Sequence, residues 1–254
     1  MPTLSGKLKH KVERAAQEAH RAAASVVVNR IKWKVDARVR YPCYKSFDEF
    51  IDVDHLASLD NYVGGLISKR IEKDDELFDT GVLTRRRSDR TLPGSRIIYL
   101  SKSVRPYRYK DLDKAELWVK TEQAEEFSLL MDFIGTLPFK QTARMMIMYD
   151  NCGRAVTAHR DHSYKNICHE FIWFRTNLNK PFYLLNPESN EKKYVESYSA
   201  WFDTCNQFHG VDPHGSLVFS IRVDGTFSDE FRKQIPVPAC NRASIAALWA
   251  CTSH

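Results

Sequence analysis

From Leu137-Pro138-Phe139 onward the sequence loses helical spacing and reads as short strands separated by turn residues. The strand segments are 142–149, 167–176, 181–186, 192–204 and 216–224. Asn151-Cys152-Gly153, Asn186-Pro187-Glu188, Asp212-Pro213-His214-Gly215 and Asp224-Gly225 punctuate them. Segments this short must pair with one another to bury their apolar faces. Strands that follow a helical first half predict an α+β protein whose C-terminal half is a sandwich or barrel.

The first half reads differently. Leu8, Val12, Ala15, Ala16, Ala19, Ala23, Val26 and Val27 recur at helical spacing over residues 7–30, opposite Lys7, Lys11, Arg14, Glu18 and Arg21. A helix packed on the domain is the simplest reading, and an acidic partner or nucleic acid is the alternative. Residues 46–78 mix apolar and acidic residues at irregular helical spacing, with Ser46 and Glu49 as a capping box. Residues 85–110 form a basic stretch from Arg85 to Lys110, interleaved with Tyr99, Tyr107 and Tyr109. It reads as a solvated surface strip or as a phosphate- or base-binding one. Residues 111–135 predict a helix with Leu117, Phe127, Leu130, Met131 and Ile134 facing the core, stopped at Gly135. The resulting division is a helical, basic N-terminal region (1–110) packed on a core (111–254).

Composition bounds the rest. With 43% hydrophobic and 12% aromatic residues, the 254-residue chain can bury a substantial core. The six cysteines (43, 152, 168, 205, 240, 251) form no CxxC pair, which argues for reduced thiols and against a zinc ribbon. No stretch reaches the roughly 20 apolar residues that span a bilayer, and no signal-peptide core is evident, so a cytoplasmic protein without a membrane partner is expected. The formal net charge is +6, and residues 1–40 carry five Lys and five Arg against Glu13, Glu18 and Asp36. The basic balance therefore belongs to that segment and not to the strand-rich half.

One constellation in the strand-rich half carries chemistry: His159 and Asp161, then His209, then Arg222. Nine histidines and 32 acidic residues make about one His-x-acid pair expected by chance, so the pair gains meaning only from its setting. It follows the apolar strand Met145–Tyr149 and a Gly turn, and residues i and i+2 of an extended chain point the same way. His159 and Asp161 can thus chelate one ion from one strand end. His209 lies at the turn into the last strand, where Ser216, Val218, Ser220 and Arg222 share a face. An arginine inside an apolar strand needs a partner, for which a bidentate carboxylate is suited; an edge strand would equally leave it on the surface. Two histidines and one carboxylate form the facial triad of non-haem iron(II) sites, with open positions for a cosubstrate and dioxygen.

At these residues the chain resembles the Fe(II)/2-oxoglutarate-dependent oxygenases, and within them the aspartyl/asparaginyl β-hydroxylase and proline cis-4-hydroxylase branch. The motifs are Leu137-Pro138, His159-Arg160-Asp161, Ile172-Trp173-Phe174-Arg175-Thr176-Asn177, Ala200-Trp201-Phe202-Asp203-Thr204 and the strand ending near Val223-Asp224, within residues 137–227. The resemblance implies a double-stranded β-helix (a cupin-like jelly roll) with His159, Asp161 and His209 on Fe(II). It implies Arg222 on the distal carboxylate of 2-oxoglutarate, with dioxygen as the other cosubstrate. Ser220, Tyr149, Thr176 and His169 are the further cosubstrate candidates; Tyr149 reads equally well as core. Many members of the branch carry an arginine where His169 stands. Asp161 favours hydroxylation over halogenation, for which the family has a small residue there.

Arg154 and Arg160 flank the motif and are candidates for an acidic substrate group, with Trp173 a third candidate that fits a barrel core as well. The expected activity is hydroxylation, or a related oxidation, of a small molecule such as a free amino acid or derivative. The same chemistry on a protein side chain or nucleic acid is the alternative, supported by the basic segments. A non-catalytic jelly-roll binding module is the third reading.

Overall fold

Two strands carry the architecture: β5 (Phe139–Asp150) and β12 (Val218–Phe227), paired antiparallel along most of their length. The computed structural model describes residues 44–79, 95–150, 155–161, 169–186, 189–204 and 207–234. The helix expected over 7–30, much of the basic stretch and the apolar tail at 243–251 lie outside them. The other strands are β1 (Lys45–Ser46), β2 (Ser95–Tyr99), β3 (Ser101–Ser103), β4 (Trp118–Lys120), β6 (Val156–His159), β7 (Phe171–Phe174), β8 (Phe182–Asn186), β9 (Glu191–Tyr194), β10 (Ser199–Trp201) and β11 (Phe208–Val211). A six-stranded sheet runs β1-β10-β7-β12-β5-β2, and a four-stranded sheet runs β6-β11-β8-β9. The result is an α+β fold with a jelly-roll core, the class expected from the strand pattern and the resemblance.

Register assigns the faces of the large sheet. Arg222 lies opposite Met146 and Trp173, and Trp173 stacks on Phe182 of the second sheet at 4.8 Å. That face therefore looks into the barrel. Ile221 lies opposite Ile147 and Phe174, and Phe174 meets Phe133 at 5.6 Å. Phe133 belongs to a helix, so this second face packs on helices. Those are α1 (Val53–Ser58), α2 (Asp60–Asp79), α3 (Glu122–Glu126), α4 (Ser128–Thr136) and α5 (Asp229–Gln234). Leu130, Phe133 and Ile134, at i, i+3 and i+4, form the buried stripe of α4. Leu137 then turns extended, as a residue before proline must.

Several local expectations are corrected. Ser46 is in β1 and its Oγ accepts from Asp48 N at 3.2 Å, so no Ser46–Glu49 capping box forms; Asp52 caps α1 instead, accepting from His55 N at 2.9 Å. Residues 111–135 are not one helix but short 3-10 turns, β4, α3 and α4. The region before residue 110 supplies strands as well as helices, since β1 and β2 complete the large sheet. The strand expected over 192–204 is split into β9 and β10. Buried Arg175 stands at the break, where it donates to the carbonyls of Val195 and Ser197, as well as to that of Lys180 before β8. No described helix is long and apolar enough to cross a membrane.

Gly210 allows β6 and β8 to close on β11. A Cβ there would stand 2.6 Å from the Tyr183 hydroxyl and 2.6 Å from the Val156 carbonyl, a backbone atom that cannot swing aside. Gly210→Ala is expected to destabilise the fold by about 1–3 kcal/mol, read from a lowered urea midpoint at unchanged slope.

Candidate metal centre

β6 and β11 pair antiparallel with His159 directly opposite His209, so adjacent strands deliver the two imidazoles side by side, ring centroids 4.6 Å apart. Asp161 follows just past the end of β6, where its N–H donates to Thr204 O at 2.9 Å. One ligand atom from each of the three residues lies within 4.8 Å of the others. Each imidazole is oriented by its own strand. His159 Nδ1 is 2.9 Å from Thr157 O and His209 Nδ1 is 3.1 Å from Gln207 O. A carbonyl accepts only, so each Nδ1 holds the proton and each Nε2 keeps its lone pair for a metal.

The two Nε2 atoms converge on one oxygen of Asp161. Oδ1 lies 3.3 Å from His209 Nε2 and 3.9 Å from His159 Nε2. Oδ2 is held from behind by the Tyr109 hydroxyl and Arg222 Nη1, each at 3.1 Å. The His159 side chain is 47% exposed, Asp161 24% and His209 8%, so the cluster opens to solvent on the His159 side. Two neutral nitrogens and one carboxylate oxygen on a single face suit a divalent transition metal and leave positions free.

Electrostatics keep the ligands in their binding forms. Burial lowers the His159 pKa, and the neighbouring His209 lowers it further, which favours neutral imidazole. Burial opposes ionisation of Asp161, but its polar and cationic surroundings, the charges of Arg222 and Arg144 among them, outweigh it and hold the carboxyl far below its usual range.

Arg222 is buried, as expected, but its partners are internal. Its Nε and Nη2 donate to Asp224 at 2.8 to 3.2 Å, its Nη1 donates to Asp161, and its guanidinium lies 4.0 Å from the Phe171 ring centroid. Each of its three nitrogens thus already serves a carboxylate. Asp224 also accepts from Arg144 Nε at 2.9 Å. The geometry therefore makes Arg222 a holder of Asp161, with three of its five N–H groups engaged by carboxylates.

The remaining candidates divide. Ser220 lies two residues before Arg222 on the same face, inside the barrel. His169 is buried, with its ring 5.0 Å from Tyr109 and its Nδ1 3.5 Å from Asp113 Oδ2, and so borders the centre. Tyr149 is opposite Phe219 on the helix-facing side, away from the barrel interior, because register puts it out of phase with Ser220. Thr176 donates to Asp60 Oδ1 at the start of α2, as does Asn177, and so faces the helices. Arg160, between two ligands in sequence, lies over the Phe208 ring at 4.9 Å. Trp173 is core, stacked among Phe182 and Phe202. Arg154 lies outside the described residues.

Three contributors were not foreseen. Tyr109, 52 residues before Asp161, comes from the end of the basic stretch and also bonds Thr204 Oγ1 at 3.1 Å. Asp224 stands at i+2 from Arg222, a spacing that already places it on the same face. Lys180 is buried in the barrel, with Nζ 2.9 Å from Ser220 Oγ and 3.2 Å from Met148 O. It precedes a strand in a turn, where no periodicity marks it.

No family model matches the sequence, and no curated protein matches it. Among solved structures the chain is similar to a prolyl-4-hydroxylase from Pseudomonas putida, at 11% identity over 79% of this chain and 96% of that one, TM-score 0.36. It is also similar to a prolyl hydroxylase from Trichoplax adhaerens in complex with a hypoxia inducible factor peptide fragment, at 12% identity over 87% and 96%, TM-score 0.37. AviO1 from Streptomyces viridochromogenes Tue57 gives 14% identity over 74% and 91%, TM-score 0.41. Likeness at this level carries no functional argument; the geometry of the centre does.

Tyr109→Phe keeps the ring against His169 and removes only the hydroxyl that holds Asp161. A weakening of divalent metal binding of about tenfold or more is expected, with an unchanged unfolding midpoint of the metal-free protein, by calorimetric titration with Co(II) and by urea unfolding.

Proposed function

We propose that this chain is a non-haem Fe(II)- and 2-oxoglutarate-dependent oxygenase that hydroxylates, or otherwise oxidises, a small molecule such as a free amino acid or a derivative. The observation that carries the reading is the pair of Nδ1–carbonyl contacts, which turn two Nε2 lone pairs and Asp161 Oδ1 toward one point. The donor set fits Fe(II), and its single-faced arrangement leaves room for a chelating 2-oxo acid and dioxygen.

His159, Asp161 and His209 would hold the iron, and Tyr109 and Arg222 keep the second oxygen of Asp161 turned away from it. When bound, iron supplies the redox chemistry: 2-oxoglutarate and dioxygen become succinate and carbon dioxide, one oxygen atom entering succinate and the other the substrate. The chain's own part is placement. The aromatic cluster of Trp173, Phe182 and Phe202 packs against His209 and excludes water from that side, while exposed His159 marks the side from which substrate approaches.

A second substrate class has an observation of its own. Tyr109, which touches the centre, ends the basic, aromatic stretch that includes Lys102, Arg105, Tyr107 and Arg108. An anionic peptide or nucleic acid could be presented there, and its binding would weaken steeply with salt.

Adding Fe(II) and 2-oxoglutarate without oxygen is expected to give a visible metal-to-ligand charge-transfer band, lost in His159→Ala. Admitting air is expected to yield succinate, increased by a true substrate from a panel of amino acids, peptides and oligonucleotides. A wild-type protein with neither band nor succinate would overturn the reading, and a band retained in His159→Ala would overturn the ligand assignment.

A further inference from the structure

Between β3 and β4 the chain makes a loop, residues 104–117, whose Tyr109 reaches Asp161. The two strands pair as a ribbon of their own, with Lys102 opposite Val119 and Ser101 opposite Lys120. The second half of the loop is fixed to the domain. Leu112 and Leu117 are buried, Arg144 N donates to Leu112 O at 3.3 Å, and Trp118 Nε1 donates to Asp111 O at 3.3 Å. The first half is different: Val104, Arg105, Pro106, Tyr107 and Arg108 are exposed in succession.

Charge is divided in the same way. Residues 101–110 hold Lys102, Arg105, Arg108 and Lys110 and no acid, whereas Asp111, Asp113 and Glu116 all follow. Asp111 is taken by Lys114 at 2.6 Å, and Asp113 faces His169 at 3.5 Å. Among the described residues no carboxylate pairs with Lys102, Arg105, Arg108 or Lys120. Exposed cations alone are usually a solvated face. The aromatic ring set among them is what points to a ligand.

Tyr107 stands between Arg105 and Arg108, 42% exposed, and its ring lies 4.7 Å from that of Trp118. The indole, tied to Asp111 O, holds the phenol ring in place and leaves much of it in water. A fixed, exposed ring flanked by two guanidinium groups matches a polymer whose repeating unit is an anion and a flat base. An acidic peptide would use the cations and leave the ring idle. A duplex would meet the cations but keep its bases stacked on one another.

We infer that Lys102, Arg105, Tyr107, Arg108, Trp118 and Lys120 form a docking strip for single-stranded nucleic acid. As a surface the strip stands on its own; as the means of presenting a substrate it rests on the function proposed above. Arg108 is extended, so Tyr107 and Tyr109 are about 6.6 Å apart along the chain, and Tyr109 touches the ligand Asp161. A base stacked on Tyr107 is thereby held at the edge of the metal centre.

The test is fluorescence anisotropy of a labelled oligothymidylate, about 12 nucleotides long, with the metal-free full chain over a range of salt. An oligouridylate of the same length tells DNA from RNA, and binding of either through the strip supports the inference. Arg105→Gln combined with Arg108→Gln is expected to lower the slope of log Kd against log salt by about 1.4, as two lost phosphate contacts on a single strand require. Tyr107→Leu is expected to raise the Kd roughly fivefold to a hundredfold with the slope unchanged, while Tyr107→Phe binds as wild type does. These side chains are on the surface, and an unchanged urea midpoint shows that each variant keeps its fold.

A Kd and slope that survive all of these substitutions belong to other basic segments, such as residues 1–40, and overturn the strip. Tighter binding of an oligoglutamate of equal charge overturns it in favour of an acidic peptide. Tighter binding of the same oligothymidylate in a duplex, or no binding by wild type at low salt, overturns it as well.

Because the metal is left out, the result is independent of the iron chemistry. Strip-dependent binding by a protein that gives no charge-transfer band keeps the strip and loses the oxygenase. A band without strip-dependent binding keeps the oxygenase and loses the strip. Neither band nor binding overturns both.

Discussion

The buried guanidinium of Arg222 is the interaction on which the rest of the centre depends. It sits in the middle of β12, hydrogen-bonded strands on either side, where water cannot reach it and an unpaired charge would not be tolerated. Two carboxylates meet that demand, Asp224 from the same strand and Asp161 from the turn after β6. Arg144 then balances Asp224 from β5. The alternation Asp161, Arg222, Asp224, Arg144 links the ligand turn to both long strands. Burial alone would raise the Asp224 carboxyl pKa, but the two arginines keep it low, and Asp224 and Asp161 keep Arg222 charged. Removing one member of such a chain leaves its neighbour buried and uncompensated, at a cost of about 3–5 kcal/mol. The ligand carboxylate is therefore part of the fold's own charge balance.

That dependence explains which parts of the centre could be read in advance. His159 and Asp161 were legible because they obey a local rule, the period of two on extended chain, beside a recognisable turn. His209 was legible from its place before the last strand. The burial of Arg222 is legible too, and Asp224 at i+2 has the parity of a partner on the same face. Periodicity had already placed the pair on one face; what it could not supply was the rotamer that folds the guanidinium back along its own strand.

The misplaced residues fail for a different reason: register. Nothing in the β5 segment tells whether Met148 or Tyr149 opposes Ser220, and a shift by one residue exchanges the two faces. The structure pairs Met148 with Ser220, which sends Tyr149 to the helices. The motif position of Thr176 points to the cosubstrate, yet α2 begins beside it and Asp60 accepts from its hydroxyl. Residues 111–135 have apolar spacing consistent with a helix. The early part is instead pinned by local polar contacts, with Arg108 N and Lys114 Nζ both donating to Asp111 before α3 can start. Tyr109 and Lys180 reach the barrel from turns, by contacts with residues 52 and 40 positions away, and no local pattern announces such contacts.

Under the proposed function, the two barrel cations divide the work by their chemistry. A guanidinium is planar, holds its proton through any ordinary pH and engages two carboxylates at once, which suits a fixed brace for a metal ligand. An ammonium is compact, and burial brings its proton within reach of neutral pH. Exchanging them would put the switchable charge beside Asp161. In the observed order, the protonation of Lys180 is free to vary while the Asp161 carboxylate stays fixed. Lys180 reaches the barrel from the turn before β8 and meets β12 at Ser220, two residues before Arg222, so the two cations face the same barrel interior without sharing a strand.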